Sequence, residues 1–176
     1  MQKNWYVLYT RPLCEKKVAS LLAKKKVENF IPLVSVETEK SWRNKVQYKP
    51  LFKSYVFVNV TEQDALLLSR FEGVISLLHW LGRPAIINES EINSIKEFIE
   101  DYQDINLEKM PVNSSVFEQS MYRSSFKIEG NVLTVKNKTI KINLPSLGYA
   151  MIAKLKEDGI FIKERSFLQN YTFAQS

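Results

Sequence analysis

Hydrophobic and polar positions near the start of the chain first predict a strand and then a helix. Residues 5–10 are aromatic and β-branched without a breaker, which is typical of a buried strand. Arg11-Pro12 then predicts the opening of a helix, because proline fits a first helical turn. This helix is expected to run to about Lys26, since its apolar residues recur on one face at Cys14, Val18, Leu21 and Leu22.

Residues 51–60 have the strongest strand pattern in the protein. They are apolar at both alternating sets of positions, so we expect both faces of this strand to be covered. Ahead of it, residues 29–36 form an extended run in which Pro32 indicates an edge or a bend. The polar residues 37–45 are predicted to form a hairpin tip, and residues 46–49 the returning strand.

The alternation of strands and helices continues to about residue 102. We predict four elements there: a helix that starts at Thr61 or Glu62 and is ended by Gly73, a strand at 74–80, a turn at 81–84 and a strand at 85–87. Asn88 with Glu91 three residues later is a capping-box pattern, which predicts the start of a third amphipathic helix.

The resulting order over residues 4–102 is β-α-β-β-β-α-β-β-α. It favours an α+β fold class, in which an α/β sandwich carries three helices on a mostly antiparallel sheet. We therefore predict an N-terminal domain at residues 1–103. Polar residues and Pro111 interrupt the pattern, so residues 104–113 are predicted to be a linker.

Short strands separated by turn residues characterise the next part of the chain. Gly130-Asn131 and Asn137-Lys138 stand where hairpin turns are expected. Residues 114–158 therefore predict a small SH3-like β-barrel, and residues 159–176 a C-terminal tail.

Charge and composition narrow the class of protein. Residues 1–60 hold 12 Lys/Arg and 4 Asp/Glu, residues 61–110 hold 4 and 10, and residues 111–176 hold 9 and 5. A basic N-terminal third permits contact with a polyanion, although lysines also simply solvate surfaces. The single cysteine excludes an internal disulfide, and neither a membrane-spanning run nor a secretory signal is found. A cytoplasmic location is expected, with a monomer as the expected oligomeric state.

Candidate catalytic and metal-binding residues are scarce. The single histidine, His79, lies in a predicted strand, and Cys14 lies on the apolar face of the first helix. A zinc site needs three or four converging ligands, and the five glycines are scattered singly rather than in a phosphate-binding loop. We therefore expect no catalytic residues, no bound metal and no cofactor, and we do not expect an enzyme.

Aromatic residues are concentrated in the first sixty positions and make up 12% of the chain. Aromatic rings among lysines suit a base-stacking surface, so a free-standing RNA- or DNA-binding module is one hypothesis. The other is a hydrophobic core with a protein-docking pocket, since aromatic residues are enriched at interface centres. We favour docking, because residues 51–60 must be covered on both faces.

Three segments together resemble the NusG family of transcription factors. The segment Trp5-Tyr6-Val7-Leu8-Tyr9-Thr10-Arg11-Pro12 is similar to the opening strand and turn of its N-terminal domain. Residues 50–58 are similar to its motif P-L-F-P-G-Y-(V/L)-F-V, with Lys53-Ser54 in place of Pro-Gly. Gly73-Val74 and the later residues 82–87 are similar to its "GV…G-x-PA-x-I" stretch. The resemblance covers residues 4–102 in the family's order.

The resemblance implies a transcription elongation or antitermination factor that binds RNA polymerase on the clamp helices of the largest subunit. It implies a polymerase-binding set made of Tyr9, Phe52, Tyr55, Phe57 and Trp80, with Leu66, Leu67 and Ser69 toward the opposite side of the cleft. It also implies nucleic-acid contacts, to nontemplate DNA or the upstream duplex, by Arg11, Lys17 and Lys24.

For the second domain the resemblance implies a KOW-type barrel. In relatives this domain recruits a ribosomal protein or a termination factor, and here the partner is unknown. Residues 116–121 replace the family's glycine-rich turn. Ser146-Leu147-Gly148-Tyr149 is similar to a stretch in the specialised antiterminator branch found with polysaccharide operons.

Overall fold

The computed structural model describes residues 2–36, 47–110, 125–128, 131–136 and 139–154. Within them the chain forms three helices and antiparallel sheets. The elements in chain order are β1 (Asn4–Thr10), α1 (Glu15–Lys24), β2 (Asn29–Phe30), β3 (Leu33–Val36), β4 (Gln47–Pro50), β5 (Tyr55–Val60), α2 (Glu62–Leu68), β6 (Val74–Leu77), β7 (His79–Trp80), β8 (Arg83–Pro84), α3 (Glu89–Asp101), β9 (Asn106–Lys109), β10 (Ser125–Ile128), β11 (Asn131–Lys136), β12 (Thr139–Leu144) and β13 (Tyr149–Lys154).

A four-stranded antiparallel sheet in the order β2-β5-β1-β6 is the centre of the fold. Side chains alternate across its two faces. One face, with Leu8 and Val56, packs against α1 and α2. The other, with Val7 and Phe57, packs against α3 and against a second sheet, which contains β12 and β13. Both faces of β5 are therefore covered, as predicted, and each fully buried large apolar side chain there contributes about 1.5–3 kcal/mol.

Two predicted strands are shorter than expected because the backbone turns inside them. The run 29–36 is split at Pro32: β2 pairs with β5, whereas β3 pairs with β4. Proline has no N–H for a ladder, and the carbonyl of Pro32 instead accepts from the N–H of Leu51 at 2.8 Å. The strand expected from residue 51 starts only at Tyr55, because Ser54 has a φ of 64°.

Other boundaries also differ from the prediction. Helix α1 starts at Glu15 rather than at Arg11-Pro12, since Leu13 has a φ of 63°, which no α-helix accommodates. The strand expected at 85–87 is only a single bridge between Ile87 and Trp5. Within the expected turn 81–84, β8 pairs with β7, and a tight turn at Leu81-Gly82 has positive φ at both residues.

The second sheet is antiparallel in the order β10-β11-β12-β13-β9. Four of its strands match the segments that the sequence predicts between residues 126 and 155. The fifth, β9, lies inside the stretch 104–113 predicted as a linker and pairs with β13. Barrel closure stays a prediction. The hairpin tip at 37–45, the segment 116–121 and the tail at 159–176 lie outside the described residues.

Helix α3 starts where the capping pattern predicts, with Asn88 in extended conformation at its N-cap. The reciprocal side-chain bonds of a capping box are not formed, because the Asn88 side chain does not cap the helix and Glu91 bonds elsewhere. Among the described residues, no helix is long and apolar enough to cross a membrane.

Candidate functional site

A cluster of aromatic rings forms where β1 and β5 lie side by side. Tyr9 and Tyr55 are direct partners in the antiparallel register, and their rings meet edge to face at 6.0 Å. The Phe52 ring stacks parallel to that of Tyr55 at 6.2 Å and meets Phe57 edge to face at 5.8 Å. Four of the five predicted pocket aromatics are therefore connected by ring contacts, and we call them the aromatic cluster (Tyr9, Phe52, Tyr55 and Phe57).

A tight turn before β5 places Phe52 beneath Tyr55. The turn is held by the N–H of Ser54, which donates to the carboxylate of Glu15 at 2.6 Å, and by the N–H of Thr10, which donates to the carbonyl of Ser54 at 2.8 Å. Ser54 adopts the left-handed conformation that favours glycine. This conformation explains why the related motif has glycine at this position, and why serine there is strained.

The members of the aromatic cluster differ in exposure. Tyr9 is 39% exposed, whereas Phe52 is 2% and Phe57 0% exposed. The two phenylalanines are core residues, so in this conformation they support the tyrosines rather than offer a surface to a partner. In this conformation the four rings do not line an open pocket, because α3 and the second sheet cover this face, and their part in polymerase binding stays a prediction.

Tyr149, at the start of β13, is the residue that covers the aromatic cluster. Its ring meets Phe52 edge to face at 5.9 Å. Burial is the main cause that raises the pKa of Tyr55 above its ordinary value, and the neighbouring Tyr149 and Tyr9 raise it further. The second sheet therefore covers part of the aromatic cluster.

A polar contact holds the second sheet against α3. One carboxylate oxygen of Glu91, Oε1, accepts from the backbone N–H of Ser146 at 3.1 Å and from its hydroxyl at 2.9 Å. Asn88 Nδ2 donates to the same hydroxyl at 3.2 Å. Glu91 is 2% exposed, burial raises its pKa, and its Oε2 has no hydrogen-bond partner among the described residues. The capping pattern pointed to Glu91, but nothing in the sequence indicated its partner.

Trp80 is not brought into the aromatic cluster. It lies on the β7–β8 hairpin, is 64% exposed and joins none of the ring pairs found in the described chain. The neighbouring Leu81 at the hairpin tip is 92% exposed. The predicted pocket is therefore divided into the aromatic cluster and a separate, exposed apolar hairpin.

The predicted contacts on α2 lie on the opposite face of the central sheet. Ala65 and Leu68 turn into the core there, which leaves Leu66 48% and Leu67 65% exposed. Ser69 ends the helix, and its hydroxyl donates to the carbonyl of Leu66 at 2.7 Å. Two apolar side chains at solvent on one short helix are consistent with a second contact surface.

The three predicted nucleic-acid contacts are exposed but differ in their surroundings. Lys24 lies in the last turn of α1, where a positive charge stabilises the helix dipole. Lys17 Nζ forms an ion pair with Glu72 Oε1 at 2.7 Å, which raises the pKa of Lys17 and lowers that of Glu72. Arg11 lies near enough to lower the pKa of Glu72 further. Across the described ranges, no three His, Cys, Asp or Glu residues are grouped to hold a metal ion.

Comparison with known proteins identifies the family of the N-terminal part of the chain. Residues 3–96 match the family described as NusG, transcription termination factor nusG. Among solved structures, the chain is similar to one described as "Domain interaction in Thermotoga maritima NusG". The TM-score is 0.46, the identity is 19%, and the match covers 88% of this chain and 94% of that one. No curated protein matches the chain.

Proposed function

The chain belongs to the NusG family, whose members are transcription factors and not enzymes, and on that premise we propose that it is an elongation or antitermination factor that binds RNA polymerase. The observation that carries the proposal is the aromatic cluster. Aromatic side chains on a rigid sheet lose little conformational freedom on binding, which makes them effective interface anchors. Tyr9 and Tyr55 are the members with side chains at least partly open to a partner.

The polymerase surface that suits this cluster is apolar and helical, namely the clamp helices of the largest subunit. Tyr9 would contact it directly, and Tyr55 would do so once Tyr149 has moved away. Because Tyr149 packs on Phe52, polymerase and the second sheet compete for the same rings. Full docking therefore requires the second sheet to separate from the aromatic cluster.

Two further surfaces would extend the contact. The exposed Trp80 lies on the hairpin beyond β6, and Leu66, Leu67 and Ser69 lie on α2, on the other face of the sheet. A factor that bridges the polymerase cleft needs apolar contacts at two separated places, and this arrangement supplies them. Arg11, Lys17 and Lys24 would face the phosphates of nontemplate DNA or of the upstream duplex.

For the second domain we propose a divergent KOW-type barrel that comprises residues 114–158, as predicted from sequence, together with β9. The stretch Ser146-Leu147-Gly148-Tyr149 supports a place in the specialised antiterminator branch, which acts on a restricted class of operons. In relatives the barrel recruits a ribosomal protein or a termination factor. Here its five-stranded sheet contributes Tyr149 and Ser146 to the contact with the N-terminal part.

The proposal is tested by recovery of the chain on immobilised core RNA polymerase. Truncation of an anchor at an interface centre costs about 1–3 kcal/mol, so Tyr9→Ala and Tyr55→Ala should each bind about five- to a hundredfold more weakly. Tyr48→Ala is the matched control, because Tyr48 is 59% exposed on β4 and contacts none of the cluster rings. Equal recovery of all four proteins would refute the docking assignment.

The second candidate function is a free-standing RNA- or DNA-binding module, which the basic N-terminal third supports. Such a module binds naked nucleic acid with an affinity that falls steeply as salt rises. Filter binding at two salt concentrations separates the candidates. Tight, salt-dependent binding without polymerase would favour the module, whereas weak binding together with recovery on polymerase favours the transcription factor.

A further inference from the structure

An acidic side chain lies among the predicted nucleic-acid contacts. Glu72 immediately precedes Gly73, and its Oε1 is 2.7 Å from Nζ of Lys17 on α1. The backbone N–H of Arg11 donates to the carbonyl of Gly73 at 2.9 Å, which fixes the Arg11 backbone beside this loop. Two of the three predicted phosphate-binding cations therefore adjoin one carboxylate.

The position of Glu72 is set by backbone contacts rather than by its own side chain. Gly73 has a φ of 88°, and a side chain there would start 3.0 Å from Cγ2 of the buried Val18. The loop consequently lies close against α1, and Lys17, on the helical turn that contains Val18, is within reach of Glu72. The ion pair is a consequence of a tightly fixed loop.

The Lys17–Glu72 pair contributes little to folding. The side chains are 62% and 75% exposed, and ion pairs at such exposure are strongly screened by water and salt. Its main physical effect is on the charge that the surface presents. With Glu72 in place, the cluster of Arg11, Lys17 and Glu72 carries one net positive charge instead of two.

We propose that Glu72 acts as an internal competitor for phosphate, which holds Lys17 and offsets Arg11 so that the basic surface binds free nucleic acid only weakly. The inference rests on the proposed function. A carboxylate and a phosphodiester oxygen accept from the same ammonium donor, so Lys17 cannot serve both fully. Naked DNA in dilute solution must displace Glu72. DNA held on the polymerase has a high effective concentration at this surface and displaces it readily.

This arrangement makes nucleic-acid contact depend on prior docking to polymerase. A protein with 12 Lys/Arg and 4 Asp/Glu in its first sixty residues would otherwise bind nucleic acid indiscriminately. Glu72 lies outside that basic third, in the acidic middle of the chain, and returns one negative charge to it. Glu72 therefore favours nucleic acid held on polymerase over free nucleic acid, and it does so without contacting a base.

The test measures fluorescence anisotropy of a short labelled DNA duplex of mixed sequence with the full chain over a series of salt concentrations. Glu72→Gln should bind about three- to tenfold more tightly at low salt. The slope of log affinity against log salt should steepen by about 0.9, which corresponds to one added phosphate contact.

Glu108→Gln is the matched control, since Glu108 forms an ion pair of similar length with Lys141, at 2.6 Å, and the substitution makes the same change in net charge. It should leave the slope unchanged. The double variant Lys17→Gln, Glu72→Gln should lose the gain. Equal gains in Glu72→Gln and Glu108→Gln, or a gain that survives in the double variant, would overturn the proposal.

The same proteins separate this inference from the proposed function. Recovery of Glu72→Gln on core polymerase without nucleic acid should equal that of the wild type, because Glu72 is outside the aromatic cluster. If the wild type does not bind polymerase, the proposed function fails. The comparison of Glu72→Gln with Glu108→Gln on DNA still decides whether Glu72 restrains Lys17.

Discussion

The substitution Tyr149→Ala should strengthen binding to RNA polymerase, although it removes a native contact. Tyr149 covers the aromatic cluster through its edge-to-face contact with Phe52 at 5.9 Å. An aromatic pair contributes about 0.5–1.5 kcal/mol beyond burial. Alanine at this position therefore weakens the covered arrangement by about 0.5–1.5 kcal/mol through the loss of this contact.

Under the proposed function this loss converts into a gain in polymerase affinity, because the covered arrangement and the docked one would exclude each other. A ligand that binds only the uncovered form gains apparent affinity in proportion to the population of that form. The expected gain is about two- to tenfold, and it reaches its ceiling once most molecules are uncovered. Tyr55→Ala should change affinity in the opposite direction, since it removes an anchor.

A titration of core polymerase with fluorescently labelled chain measures both effects. Tyr102→Ala controls for general destabilisation, because Tyr102 is also a half-buried tyrosine with a ring contact, to Phe98 at 4.7 Å, but lies at the end of α3. It should leave polymerase affinity unchanged. If Tyr149→Ala binds polymerase no more tightly than Tyr102→Ala, the claim of competition is refuted.

Two further predictions concern stability. Gly73→Ala should lower the free energy of unfolding by about 2–3 kcal/mol, because it combines positive φ with a clash against Val18. Gly82→Ala also has positive φ but lies in open space, so it should lower the free energy of unfolding by only about 1 kcal/mol. Urea denaturation measures both values, and equal losses would contradict this account. Burial raises the pKa of Glu91, so the folded chain holds this proton more tightly than the unfolded one. Stability should fall as pH rises through the interval between the ordinary and the raised pKa, and Glu91→Gln should remove that part of the slope. Identical pH dependence of stability in the wild type and in Glu91→Gln would show that protonation of Glu91 is not coupled to folding.

Alternation along the chain predicts only part of the aromatic cluster, since the grouping of its members follows from the family resemblance. Because strand residues two apart share a face, the pattern of residues 51–60 placed Tyr55 and Phe57 together and required cover on both sides. The motif at the N-terminus likewise placed Tyr9 in a strand, and β1 pairs with β5 as an antiparallel neighbour. The shared face depends on local periodicity, which can be read from the sequence, whereas the pairing of β1 with β5 joins distant segments.

The parts that sequence did not predict depend on contacts between distant segments. Asn106–Lys109 is polar and suggests a linker, and it forms β9 because β13 supplies its hydrogen-bond partners. Nothing near Phe52 indicates that Tyr149 will cover it. Similarly, the family resemblance groups Trp80 with the cluster, but the turn at Leu81-Gly82 carries it onto a separate hairpin.

The central claim is that the aromatic cluster contacts the largest subunit of RNA polymerase. Its most direct test replaces Tyr9 with a photoreactive phenylalanine analogue and identifies the polymerase subunit that becomes crosslinked after irradiation. The same probe at Tyr48, which is exposed on β4, gives the background. We predict a crosslink to the largest subunit from position 9 and none above background from position 48. Crosslinks from position 9 to other subunits alone, or none to polymerase at all, would contradict the account.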